Sequence, residues 1–324
     1  EETLTASPAH SSSAAGPDSV PDQGLQDMLG KAYYTVEQRI KAQVQEIAAG
    51  TRTYTDLSID ISDLNLSSDD FSGDNWYTFY YAIRLDCGYE LYWSSLSMGL
   101  YSSEDILYVR FPVDVNYRKS SDDYYTVDTT KIKTAQTSLK KAQSIVSKYA
   151  SYSDYDKLVA YKNEICNLND YNYDAISGYD ITTQGSDPWQ IIYVFDEDSS
   201  TNVVCEGYAK AFEYLCNQST FESSLINCYC VTGSAGGAHM WNILTMDDGR
   251  NYHVDVTWCD GGWDLFIVPC TSGNITDGFT YLNNSSAHYT YDDSMFSLFT
   301  EADLTISPVA YGETYSKPKI TTQP

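Results

Sequence analysis

Basic residues are scarce in this chain. Its 19 lysines and arginines stand against 45 aspartates and glutamates, a net charge of −26. Such a surface repels a phosphate backbone, so nucleic acid is excluded as a natural partner. No apolar run approaches the roughly 18 residues that a membrane-crossing helix needs, so no membrane span is expected. Histidine is rarer still, with 4 in 324 residues. Chemistry that needs an imidazole must therefore draw on His10, His239, His253 or His288. No internal repeat is visible, and no methionine opens the chain. Residues 1–24, "EETLTASPAHSSSAAGPDSVPDQG", lack periodicity and read as a disordered leader. We expect a processed protein, secreted or at the cell surface.

What is present is a chain 42% hydrophobic, with 30 tyrosines and 8 cysteines. Its length suits one large domain or two ordinary ones. A chain this large does not need disulfide staples, so mostly reduced, buried thiols are expected, with room for one or two disulfides. Cys228 and Cys230 alternate in "CYC", but no second spaced pair accompanies them, so no metal site is expected. Asp170, Asn172 and Asp174 start like a calcium loop. Ala175 then replaces the required glycine, and Ile181 the closing glutamate. No cofactor is implied.

Leu29, Val36, Ile40, Val44 and Ile47 recur at helical spacing and stop at Gly50. Leu57, Ile59 and Ile61 alternate as in a strand. "WYTFYYAIRLDC" fits helix or strand. "ELYWSSLSMGLYS" and "ILYVRFPVDVNYR" read as paired strands. Ile132, Ala135, Leu139, Ala142, Val146 and Tyr149 mark a helix, and Leu158, Tyr161 and Ile165 a second one. "INCYCVTG" reads as a strand ended by Gly233. "AHMWNILTMDDGRNYHVDVTW" reads as a hairpin around a two-residue Asp248-Gly249 turn. "NNSSAHYTYDD", which holds His288, reads as loop, and residues 311–324 as a linker.

In "NVVCEGYAKAFEYLC" an extended run meets a helical one at Cys205. Tyr208, Ala211, Phe212 and Leu215 follow at helical spacing and would anchor that helix in the core. A thiol at its first residue is favoured as thiolate by the free amides and the helix dipole. Acyl transfer by a thiolate needs a base and a group that orients the base. His239 follows the flexible "GSAGGA", and Asp255 lies on the partner strand. His253 is expected to face solvent. The two-residue turn would set Asp255 opposite Asn242, three residues from His239, so a longer loop, a bulge or strong twist must close the gap.

Taken in order, "VCEGYAKAF", "HMWN" and "HVDVTW" resemble the core of the transglutaminase-like superfamily, a papain-like Cys–His–Asp group. The upstream "YDKLVAYKNEICNLNDYNYD" is similar to the helix preceding the nucleophile in bacterial members. The resemblance implies an α+β fold, with a nucleophile helix packed on an antiparallel sheet over residues 129–310. A helix-plus-sheet lobe over residues 25–128 would precede it. The resemblance also implies Cys205 as nucleophile, His239 as general base and then acid, and Asp255 as the orienting carboxylate. Trp241, Asn242 and Trp258 match family positions and would shape the pocket. Met240 stands where many members have alanine. Gln190 is a candidate second oxyanion donor. The implied activity is attack on protein or peptide amides through a thioester, by a peptidase, an amidase or a glutamine acyl transferase. Cell-wall peptide is one candidate substrate. A silent surface-binding module with the same fold is the alternative.

Overall fold

The computed structural model describes residues 30–95, 97–103, 105–177, 189–270, 272–283 and 285–313. The leader, His10, Leu29, Ile181 and the end of the expected linker lie outside the described residues.

Helix α1 (Lys31–Ala49) buries Val36, Ile40, Val44 and Ile47 on one face. It stops at Gly50, whose φ of 77° lets its N–H reach back to the Glu46 and Ile47 carbonyls. Strand β1 (Asp56–Asp60) turns Leu57 and Ile59 inward. The ambiguous aromatic stretch is helix α2 (Gly73–Asp86), with Thr78, Phe79, Ala82, Ile83 and Leu85 buried. Strands β2 (Gly99–Ser103) and β3 (Ile106–Arg110) pair antiparallel, in a sheet of order β1-β3-β2. The first expected strand is therefore shorter than read. Its "ELYW" part forms a turn that buries Leu91, Tyr92 and Trp93 together. Three adjacent large side chains can all enter a core from a turn, whereas a strand would point alternate ones outward.

Helix α3 (Thr129–Lys148) is capped by the Asp128 carboxylate, and α4 (Asp154–Leu168) by the Ser153 hydroxyl. A short α5 (Tyr173–Ile176) follows. Then come a 3-10 turn (Ile191–Val194) and α6 (Cys205–Asn217). Strands β4 (Asn227–Ser234), β5 (Ala238–Thr245) and β6 (Asn251–Val254) lead to α7 (Val256–Asp260) and β7 (Phe266–Val268). Strands β8 (Gly273–Asn274), β9 (Gly278–Asn283) and β10 (Ser285–Tyr291) precede α8 (Asp293–Leu298) and α9 (Glu301–Leu304). The "NNSSAHYTYDD" stretch read as loop is thus largely strand. Period-2 alternation of Ala287, Tyr289 and Tyr291, all buried, explains it. At the other end, Tyr311 is packed rather than free. Its hydroxyl donates to Asp247 Oδ1 at 2.9 Å, and its ring stacks on Tyr155.

The second sheet has the order β7-β6-β5-β4-β10-β9-β8, antiparallel throughout. Mixed helix with antiparallel sheets is compatible with the α+β class. Helix α6 packs against β4 and β5 and is buried from Glu206 to Cys216. Burying side chains such as Tyr208, Phe212 and Leu215 stabilises the helix by roughly 1.5–3 kcal/mol each. That fixes its first residue, Cys205, in space.

Candidate active site

The approach to α6 differs from the expected strand-to-helix seam. Val204, the residue before the helix, is extended at φ −98° and ψ −177°, but Asn202–Val204 pair in no strand. What fixes the turn is packing. A Cβ on Gly207 would lie 2.7 Å from the Val203 Cβ, so only glycine lets Val203 fold over the first turn. Cys205 is half-buried at the helix start.

The hairpin register also differs from the expected one. Thr245 pairs with Asn251, and Met246 N–H also bonds the Arg250 carbonyl, which leaves Asp247, Asp248 and Gly249 as the turn. Gly249 sits at φ 71°, in the left-handed region such a turn needs. Asn242 then pairs with Val254, so the next positions in line are Trp241 and Asp255. One extra loop residue moves Asp255 onto the same side as His239 and Trp241. Strand β6 ends at Val254, and Asp255 caps α7, its Oδ1 accepting the Trp258 N–H at 3.1 Å. "HVDVTW" is therefore strand, cap and helix, not one continuous strand.

His239 Nε2 lies 2.7 Å from Asp255 Oδ2, and the Cys205 thiol is near enough to the ring to act on its charge. Burial alone would lower the His239 pKa. The Asp255 charge, its hydrogen bond and the Cys205 contact outweigh burial and push it up to about 10. Asp255 is wholly buried. Burial pushes its carboxyl up, but the His239 charge and bond, His253 and the Tyr289 hydroxyl hold it below the ordinary carboxylate range.

Trp241 stacks on the His239 ring at 6.0 Å, and Trp258 meets its edge at 6.4 Å. Both flank the imidazole. Asn242 does not. It is fully buried, and its Nδ2 donates to the Ala209 carbonyl at 3.0 Å, tying β5 to α6. Gln190 gives its Nε2 proton to the Ser94 carbonyl at 3.0 Å. That bond joins the 3-10 turn to the earlier part of the chain and uses one of the two amide protons. His253 was expected to face solvent, yet it is 1% exposed, with its ring 4.1 Å from Tyr281 and 4.4 Å from Tyr289. Burial pushes its pKa down to about 3, against the opposing pull of Asp255. The period of the strand placed His253 on the His239 face, and β9 and β10 cover that face.

Three further features were not read from the sequence. Tyr289 donates its hydroxyl to Asp255 Oδ2 at 2.6 Å. The alternation in "AHYTY" was a signal for it, hidden among 30 tyrosines. The Tyr171 hydroxyl lies near the Cys205 backbone N–H and thiol, and burial together with the thiol pushes it up to about 12. Glu206, next to Cys205, accepts Arg84 of α2 at 2.6 Å and pairs with Lys210 at 2.6 Å. Among the described residues no group of three or more His, Cys, Asp or Glu is placed to hold a metal ion. Among them, too, no helix is long and apolar enough to cross a membrane.

No family model matches the chain, and no curated protein matches it. Among solved structures, a chain described as the crystal structure of a TGase matches 57% of this chain at 16% identity and a TM-score of 0.29. The match spans about half of that protein, 48% of its length. A likeness that distant leaves the function to be argued from the residues.

Proposed function

We propose that the protein is a cysteine-nucleophile acyl-transfer enzyme of transglutaminase-like type, acting on protein or peptide amides. One observation carries the reading: a single imidazole, His239, bonds the Asp255 carboxylate and sits close enough to the Cys205 thiol for each to act on the other's charge. In this reading Asp255 keeps His239 charged beside Cys205 against the opposing effect of burial, which favours a thiolate–imidazolium pair. The thiolate attacks the amide carbonyl, and the C=O electron pair moves to oxygen. The Cys205 backbone N–H, free of intrahelical bonding at the start of α6 and beside the Tyr171 hydroxyl, is the candidate oxyanion donor once substrate takes that hydroxyl's place. Collapse of the intermediate breaks the C–N bond, and His239 gives its proton to the departing amine. Water or a second amine then opens the thioester, with His239 taking the proton. The same imidazole therefore works first as acid and then as base. Trp241 and Trp258 would hold its ring in plane and keep water from the His239–Asp255 bond. The α2 lobe, tied to Glu206, would cover one side of the cleft.

Alkylation by iodoacetamide, followed by intact mass between pH 5 and 9, tests the proposal. Rapid modification of Cys205 well below the ordinary thiol pKa of about 8.5, slowed by His239→Ala, is the expected result. A Cys205 that reacts like an ordinary thiol, with or without His239, would leave a binding module of the same fold as the better reading.

A further inference from the structure

We propose that Tyr289 is a positioning residue of this site: its hydroxyl fixes the Asp255 carboxylate that orients His239. The inference rests on the acyl-transfer reading and extends it to a residue outside the three matched motifs.

The contact is built rather than incidental. Tyr289 Oη donates to Asp255 Oδ2 at 2.6 Å, and His239 Nε2 meets the same oxygen at 2.7 Å. Oδ1 is occupied by the Trp258 N–H. Three donors therefore hold one carboxylate in a single orientation, and two of them share an oxygen. A carboxylate buried this fully needs both oxygens met, since leaving a buried acceptor unsatisfied costs about 1–3 kcal/mol or more.

Two glycines bring the tyrosine to that point. Gly233 pairs with Tyr291, and a Cβ there would lie 1.9 Å from the Thr290 carbonyl oxygen and 2.9 Å from the Trp241 ring. A Cβ on Gly278 would lie 2.2 Å from the Tyr289 carbonyl oxygen. Strand β10 can approach β4 and the neighbouring chain this closely only because both side chains are absent. The ring is then packed by Trp241 at 5.0 Å, Tyr281 at 5.4 Å and His253 at 4.4 Å. A ring held on several sides has little freedom to swing its hydroxyl away from Asp255.

The surroundings leave Asp255 as the anion. Cys205 faces His239 from α6, and His253 faces Asp255 from β6. Cys259 of α7 and Tyr281 of β9 act on Tyr289, while Tyr171 feels both Cys205 and Asp255. Burial pushes Tyr171 and Cys259 up to about 12 and Tyr281 well up, so all three stay protonated at neutral pH. His253 stays neutral there because burial pushes it down. The carboxylate's charge is then divided between one imidazolium and one phenol.

The test is an NMR titration of the His239 ring protons in a Cys205→Ala chain, assigned by their loss in His239→Ala. Tyr289→Phe keeps the ring and removes only the hydroxyl. The expected result is an upward move of the His239 midpoint by about half a pH unit or more, because Asp255 no longer shares its charge with the phenol. In an Asp255→Asn background the same change should leave the midpoint still. No move, a downward move, or an equal move in the Asp255→Asn background would overturn the inference and mean that Tyr289 acts by packing. This titration needs no nucleophile, so it is separate from the alkylation test. An ordinary Cys205 with a shifted His239 would sink the acyl-transfer reading alone. An activated Cys205 with an unmoved His239 would sink the Tyr289 role alone.

Discussion

His239 Nε2 meets Asp255 Oδ2 at 2.7 Å across a hairpin, sixteen positions apart in the chain. Removing the charge while keeping the shape tests what that contact does. Asp255→Asn should bring the His239 pKa down from about 10 towards its ordinary value of 6.5, because burial is then opposed only by Cys205. Alkylation of Cys205 at pH 6 should slow by about a hundredfold or more, in line with the loss seen when an orienting carboxylate is neutralised. Unchanged alkylation in a folded Asp255→Asn protein would separate Asp255 from the thiol's chemistry.

His253 should make the fold acid-sensitive. Its pKa is about 3 when folded against 6.5 when free, so the unfolded chain binds the proton first. Stability from its neutral burial is present above pH 6.5 and is lost as pH falls towards 3. The slope is about 1.4 kcal/mol per pH unit for one proton. His253→Phe, which keeps a flat ring beside Tyr281, should flatten the denaturation midpoint over this range. An unaltered pH slope would show that another group controls acid unfolding.

Glu213 should act in the opposite direction. Burial, with Asp86 adding to it, raises its pKa from 4.5 to about 8, although hydrogen bonds from the Cys230 thiol and N–H pull it down. The unfolded carboxyl loses its proton first, so this group's contribution is full below pH 4.5 and is lost as pH rises to 8. Glu213→Gln should therefore gain stability relative to the parent as pH climbs through that window, by about 1.4 kcal/mol per unit at most. Urea denaturation at pH 5 and pH 8 reads the difference. A constant difference between the two proteins would contradict it.

Gly233→Ala places a methyl group 1.9 Å from the Thr290 carbonyl oxygen. The backbone must move, and overpacking of this kind costs about 1–3 kcal/mol or more. We expect a fall of several degrees in Tm, together with the same upward His239 shift that Tyr289→Phe gives. A melt unchanged from the parent would show that β10 can yield without cost.

Arg84→Met should leave Glu206 with Lys210 alone in a buried setting. Removing one partner of a buried ion pair costs about 3–5 kcal/mol. Arg84 retains partial exposure, with 19% of its side-chain surface accessible, so a value at or below the lower end is expected. Cys205 alkylation should also slow, since Glu206 sets the first turn of α6. A loss of stability without any change at Cys205 would confine Arg84 to holding α2 in place.

The amphipathic period of α1, α3, α4 and α6 and the Gly50 stop of α1 were legible because local spacing and backbone freedom determine them. So were Cys205 at the head of a buried helix and His239 at the start of a strand, since both are matters of position within one element. The "ELYW" turn, the β10 strand and the burial of His253 were not. Each depends on which distant surface covers a side chain, and period alone gives a face without naming its neighbour. The register of β5 and β6 was decided at a finer level still. Asp247 joins Asp248 and Gly249 in the turn, and that one extra loop residue sets whether Asp255 meets His239 or points to the other side of the sheet. Side chains alternate with a period of two, so a one-residue slip inverts every one of them. The amino-acid sequence by itself supplied the thiol, the imidazole and the carboxylate. Only the folded chain, through that slip and through a tyrosine brought in by two glycines, decided that the imidazole meets the carboxylate with the thiol close by.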